Sequence, residues 1–104
     1  MSNSIESRLQ QLGLQLPEAA TPVANYVSYV RTGNQLIVSG QLPIADGEML
    51  NKGQVGQEVS VNEAHASARQ CALNLIAQAK AACDGDLEKI SRVLRLGGFV
   101  NSAA

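Results

Sequence analysis

The spacing of apolar positions changes several times along the chain, and each change marks an element. Ile5, Leu9 and Leu12 recur at helical spacing behind Ser4, a residue suited to an N-cap, and Gly13 stops the run. A short N-terminal helix is therefore expected within residues 1–13. Leu14 to Val23 reads as a connector, because Pro17 and Pro22 each favour extended backbone at the residue before them. Asn25 to Val30 alternates, with Tyr26, Ser28 and Val30 on one side and Val27 and Tyr29 on the other, which predicts a strand. Thr32-Gly33-Asn34 turns the chain tightly, and Gln35 to Gly40 returns as the second strand of a hairpin. Here Leu36, Ile37 and Val38 follow one another without alternation, the pattern of a strand covered on both faces. That run ends abruptly in Ser39-Gly40-Gln41-Leu42-Pro43. Gly40 lets another group approach the main chain, and Pro43 has no N–H to donate to a ladder. The strand end thus offers a hydroxyl, a bare backbone and an amide as the floor of a small-molecule pocket.

Beyond it, Asp46-Gly47-Glu48 signals a turn, Met49-Leu50 a short edge strand, and Asn51 to Glu58 a loop. Ser60-Val61-Asn62-Glu63 fits a capping box, so a long helix is expected over 61–83, with Gly85 at the C′ position. Its apolar residues suggest a packed stripe of Ala64, Ala68, Cys71, Leu75, Ala79 and Ala82, widened by Leu73, Ile76, Ala77 and Cys83, with Leu75 buried against the sheet. Leu87 to Ile90 reads as a brief turn of 3₁₀ type. Ser91 to Val100, with Val93, Leu94, Leu96, Phe99 and Val100 and a kink at Gly97-Gly98, reads as a third long strand. The order of elements makes the fold class α+β, in a single domain spanning residues 1–104.

Composition narrows the function classes. The 104 residues are 45% hydrophobic and 16% charged, with eight Lys+Arg against nine Asp+Glu and a net charge of −1. Scattered, balanced charge and three aromatic residues argue against a nucleic-acid surface. A mean hydropathy of −0.02 is somewhat apolar for a small monomer and suggests surface shared between subunits. The first residues lack the basic start and apolar core of a signal peptide, and no apolar run reaches membrane-spanning length. Cys71 and Cys83 sit too far apart on one straight helix for a disulfide. They read as reduced, packed thiols in a cytoplasmic protein.

Few residues offer chemistry by themselves. Ser39 lacks a G-x-S-x-G elbow, and the only histidine, His65, lies far along the chain, so a catalytic triad is unsupported. His65 has no second histidine or Cys/His cluster at ligand spacing, so no metal site is expected. Neither cysteine lies at a helix N-terminus or beside a cation that would activate it. Arg92 and Arg95, three apart on an extended segment, point to opposite faces and cannot form a joint anion clamp.

Four stretches together carry a resemblance. Ala24-Asn25-Tyr26-Val27, Gly33 through Pro43, Ala68-Arg69-Gln70-Cys71-Ala72-Leu73-Asn74, and Gly98-Phe99-Val100-Asn101 resemble, in order, the RidA family of reactive-intermediate (imine/enamine) deaminases, formerly described as L-PSP endoribonucleases. The most specific piece is Ser39-Gly40-Gln41-Leu42-Pro43. The resemblance implies a chorismate-mutase-like fold, a mixed β-sheet with helices packed on one face, assembled as a homotrimer with clefts between subunits. It implies hydrolysis of small 2-imino or 2-enamino acids to 2-keto acids and ammonia, with no cofactor, no membrane partner and no nucleic acid. Carried across, Tyr26 would line the cleft, Ser39 and Gly40 would contact the substrate, and Phe99 and Asn101 would lie near the mouth. The family pattern continues with a second helix and further strands that bear a carboxylate-gripping arginine and a water-orienting glutamate. This sequence matches only the N-terminal two-thirds of that pattern. The expectation is either a fragment of a longer product or a polypeptide not competent as a deaminase by itself. The alternatives are a non-catalytic trimeric small-molecule-binding or interaction module and, with less support, an endoribonuclease.

Overall fold

The computed structural model describes residues 4–19 and 27–104. Its element order is helix α1 (Ser4–Gln11), strands β1 (Tyr29–Thr32), β2 (Gln35–Val38), β3 (Ile44–Ala45) and β4 (Glu48–Met49), helix α2 (Val61–Ala82), and a 3₁₀ turn over Leu87–Lys89. The strands form two antiparallel hairpins, β1 with β2 and β3 with β4. Isolated parallel bridges join Val55 to Val59 and to Ser102. The helix α2 packs on β1, β2 and β3, and α1 lies against the 3₁₀ turn.

Local chemistry accounts for most of these boundaries. The first hairpin pairs Tyr29 with Val38 and Thr32 with Gln35, leaving Gly33-Asn34 as a two-residue loop. Gly33 has φ +56°, the conformation that the first position of such a tight loop requires. In the second hairpin Asp46 and Gly47 have φ +52° and +81°, the pair of positive angles that suits Asp-Gly to a two-residue hairpin. The start of α2 is capped reciprocally. The Glu63 N–H donates to Ser60 Oγ at 3.1 Å and the Ser60 N–H donates to Glu63 Oε1 at 2.9 Å. At the other end of α2, Cys83 is the C-cap and the left-handed residue that follows is Asp84, φ +55°. Gly85, expected at that C′ position, is one residue further on. Its N–H donates to the Lys80 carbonyl at 2.8 Å and that of Asp84 to Ala81 at 3.3 Å, so two of the carbonyls at the helix end are satisfied.

The helix α1 is fastened from across the sequence. Ser4 Oγ donates to Glu88 Oε1 at 2.8 Å, and the Ile5 N–H donates to Glu88 Oε2 at 3.1 Å. Glu6 pairs with Lys80 of α2. A carboxylate at a helix N-terminus meets the unpaired N–H groups and the positive end of the dipole together.

Further expectations need correction. Val27 and Ser28, expected inside the first strand, precede it, and Thr32, expected in the turn, belongs to it, since β1 is Tyr29–Thr32. The buried face of α2 is Leu73, Asn74, Ala77 and Gln78, whereas Leu75 is half-buried and Ala68 exposed. The helix is seated on two amides that hydrophobicity alone would turn outward. Ser91 to Val100 forms no strand and is exposed throughout, because it has no partner for its backbone among the described residues. Finally, β2 is covered on one face only. Leu36 and Val38 are half-buried beside α2, while Ile37 is 58% exposed and its cross-strand partner Val30 is 49% exposed.

Candidate functional site

The end of β2 is where sequence and geometry coincide. The last paired rung is Tyr29 with Val38, and one further bond runs from the Ser39 N–H to the Ser28 carbonyl at 2.9 Å. Ser39 also donates its hydroxyl to the Val27 carbonyl at 2.6 Å. The hydroxyl hydrogen is therefore committed, and toward a ligand Ser39 presents lone pairs rather than a donor. Gln41 closes over this point, its side-chain amide donating to the Ser39 carbonyl at 3.1 Å.

Gly40 lies between them, exposed. A Cβ built there would meet no atom within 4 Å, and its φ is outside the left-handed region. Steric openness, rather than an unusual backbone angle, is thus what glycine provides here. Among the described residues the Gly40 N–H has no hydrogen-bond acceptor.

After Pro43 the chain is tied to α2. The buried Asn74 donates to the Leu42 carbonyl at 2.9 Å and to the Ile44 carbonyl at 3.1 Å. Gln70, one turn earlier, donates its amide to Asn74 Oδ1 at 3.0 Å. Sequence reasoning missed both residues. The available signal was a pair of amides four apart amid helical apolar residues, a spacing that places them side by side.

The other expected site residues are less concentrated. Tyr26 lies outside the described residues. Phe99 is fully exposed. Asn101 belongs to a different cluster: its carbonyl accepts the Val55 N–H at 2.8 Å, and its amide reaches the Gly53 carbonyl at 3.5 Å. No hydrogen bond joins Phe99 or Asn101 to Ser39 or Gly40 among the described residues. The loop beneath Asn101 is tightly turned. The Gln54 N–H donates to Glu58 Oε1 at 2.8 Å. That bond, with the Glu58 N–H, holds the Glu58 carboxyl below its ordinary pKa.

Elsewhere the chain offers little reactive chemistry. No group of three metal-ligating side chains occurs among the described residues, and His65 is exposed on α2. Cys71 and Cys83 are free thiols, and burial pushes the Cys71 thiol up, away from nucleophilic activation. A groove of about 380 Å³ between α1 and α2 is lined by Ser4, Ile5, Arg8, Leu9 and Ile76, and it shares no residue with the Ser39–Gly40 end. No helix among the described residues is long and apolar enough to cross a membrane.

Comparison with known proteins agrees with this architecture. The family model "YjgF/chorismate mutase-like, putative endoribonuclease" matches residues 6–104. Protein TCP17 of Trypanosoma cruzi is 49% identical over 102 residues, covering 98% of this chain and 63% of that protein. The crystal structure of Atu1372 from Agrobacterium tumefaciens, a protein of unknown function, is 50% identical with a TM-score of 0.78, covering 86% of this chain and 54% of that one. A "putative endoribonuclease" from Shewanella oneidensis is 45% identical with a TM-score of 0.81, covering 88% and 60% respectively. The chain thus spans 54–63% of the length of these relatives.

Proposed function

Because the chain belongs to the YjgF/chorismate-mutase-like family, we propose that it carries part of a RidA-like site that hydrolyses reactive 2-imino and 2-enamino acids. The observation that carries this reading is the open Gly40 backbone at the end of β2, beside a serine whose hydroxyl hydrogen is already used. The Gly40 N–H would donate to a substrate carboxylate, and Ser39 Oγ would accept from the substrate's iminium or amine N–H. The chemistry is balanced and needs no cofactor. An enamine first takes a proton at carbon and gives one up from nitrogen to become the imine. Water then adds across C=N, and the carbinolamine loses ammonia to leave the 2-keto acid. Tyr26 would line the cleft, with Phe99 and Asn101 near its mouth. A homotrimer belongs to the proposal, since the outward Val30 and Ile37 and the bare Phe99 are surfaces that neighbouring subunits would cover. Two free thiols fit a reducing, cytoplasmic setting.

The test generates 2-aminoacrylate in solution and follows release of ammonia and keto acid by the purified protein at its natural length and by its Gly40→Val variant. The expected result is hydrolysis above the buffer rate in the first and none in the second. Decay at the buffer rate with both would overturn the reading and favour a non-catalytic binding module. The names attached to the family and to the Shewanella relative make endoribonuclease the second reading, and incubation with single-stranded RNA decides it.

A further inference from the structure

Ser39 is still held to the first hairpin by its bonds to Ser28 and Val27, but the ladder ends there, so something else must set the position of Gly40 and the residues after it. Beyond Ser39 the chain makes a three-residue turn, with the Ile44 N–H donating to the Leu42 carbonyl at 2.8 Å. Pro43 sits at its centre, where its fixed φ suits this kind of turn. The Leu50 N–H donates to the Pro43 carbonyl at 2.8 Å, which ties the turn to the second hairpin, and Asn51, the next residue, donates its side-chain amide to the Glu63 carbonyl and the Ser67 hydroxyl of α2. Asn74 reaches the 39–44 segment itself from α2. Its two amide hydrogens reach the carbonyls of Leu42 and Ile44, on either side of Pro43.

An amide in a helix–sheet seam is costly unless every polar atom is matched. Here all are matched. Because Gln70 donates to Oδ1, the Asn74 amide cannot rotate by half a turn without setting two donors against each other and an oxygen against two carbonyls. Leucine at position 74 would fill the seam between Leu73 and Ala77 without specifying where the loop sits. The geometry points to Asn74 as a positioning residue for the Ser39–Gly40 site, with Gln70 as the group that fixes its amide orientation. This assignment rests on reading that strand end as the substrate floor. A loop displaced by an ångström moves the Gly40 N–H out of register with a bound carboxylate, a misplacement that costs up to about a hundredfold in rate.

The experiment compares the full protein with Asn74→Leu, Asn74→Asp and Gln70→Met. Imine hydrolysis is read per folded molecule, well below each unfolding midpoint, and amide exchange is read at Ile44 and Leu50. Asn74→Leu and Asn74→Asp should lower kcat/KM by about tenfold to a hundredfold, with faster exchange at both amides. Gln70→Met should give a smaller loss in the same direction. A purely structural role would lower the midpoint and leave kcat/KM of the folded molecules unchanged, and that result overturns the assignment. If the Asn74 variants do not fold, Gln70→Met decides alone, and wild-type kcat/KM and exchange in it would refute the assignment. If the unaltered protein hydrolyses no imine, the functional reading has failed, and exchange still judges Asn74. Acceleration confined to the 39–50 segment supports the positioning role, and unchanged exchange overturns it.

Discussion

Gly40 and Gly53 both lie in exposed loop segments, yet they should respond oppositely to one added methyl. At Gly40 the new Cβ enters open space and the backbone angle is ordinary, so Gly40→Ala should change stability by no more than about 0.5 kcal/mol. Gly53 has φ +132°, and a Cβ there would stand 2.6 Å from the Glu58 Cβ and 2.9 Å from Glu58 Oε1. The first contact is at the root of a side chain and cannot be relieved by a rotamer change. The second displaces the carboxylate oxygen that accepts the Gln54 N–H. A non-glycine residue held at such an angle costs about 1–3 kcal/mol, and forced overpacking adds about 1–3 kcal/mol. Gly53→Ala should therefore lose about 2–6 kcal/mol, a fall in midpoint of roughly 10 °C or more for a domain this small. Thermal unfolding followed by circular dichroism, with the imine assay on the same samples, separates the two glycines. Gly40→Val should keep its fold and lose activity, whereas Gly53→Ala should lose fold. An equal fall in midpoint for both would refute the claim that Gly40 faces open space. A Gly53→Ala midpoint within a degree or two of the parent would show that the 53–59 loop yields freely.

Two further outcomes follow from the packing and the caps. Leu73→Ala, at a position only 8% exposed, should cost about 2–5 kcal/mol in denaturant unfolding, and the half-buried Leu75→Ala clearly less; the reverse order would mean that α2 is rotated from the face described. The Ser60 N–H and hydroxyl hold the Glu63 carboxyl below its ordinary value of 4.5, so its stabilisation is present above that value and is lost as pH falls through the lower, folded-state pKa. In Glu63→Gln, acid unfolding below about pH 4.5 should be shallower, and an unchanged acid limb would remove Glu63 from the account.

What could be read from the sequence was whatever short-range chemistry decides. The Ser60–Glu63 box, the Gly33-Asn34 and Asp46-Gly47 turns and the 3₁₀ turn at Leu87 each depend on residues within four positions, and each lies close to where it was expected. The C′ residue missed by one because Asp84 tolerates the left-handed angle, so glycine was not required there. Errors grew where the outcome depends on a distant partner. The apolar run 91–100 has the composition of a strand, but a strand exists only when another backbone pairs with it. On α2 the apolar residues of the buried face, Leu73 and Ala77, lay within the expected stripe, but its centre was misplaced because hydrophobicity ranks Asn74 and Gln78 as outward residues. Asn74 is buried because it meets the Leu42 and Ile44 carbonyls, about thirty positions away. For the site, Ser39 and Gly40 were legible as a strand end, whereas the amide pair Gln70 and Asn74 could be spotted by its spacing but given a role only once the helix was laid across it.

The same packing bears on why the proposed site would need neighbours. Among the described residues, Leu9, Val59, Leu73, Ala77 and Leu87 make up the buried apolar core, and no large side chain is fully enclosed. Meanwhile Val93, Leu94, Leu96, Phe99 and Val100 are each more than 60% exposed. Full burial of one such side chain is worth about 1.5–3 kcal/mol, so this one segment holds a stabilisation comparable to that of a whole small domain. Covering it would also bring an ordered surface to Phe99 and Asn101, the two expected mouth residues that no hydrogen bond now ties to Gly40. Stability and completion of the cleft would then depend on the same contacts. A substitution in 91–100 that weakens assembly should therefore impair catalysis without touching Ser39 or Gly40.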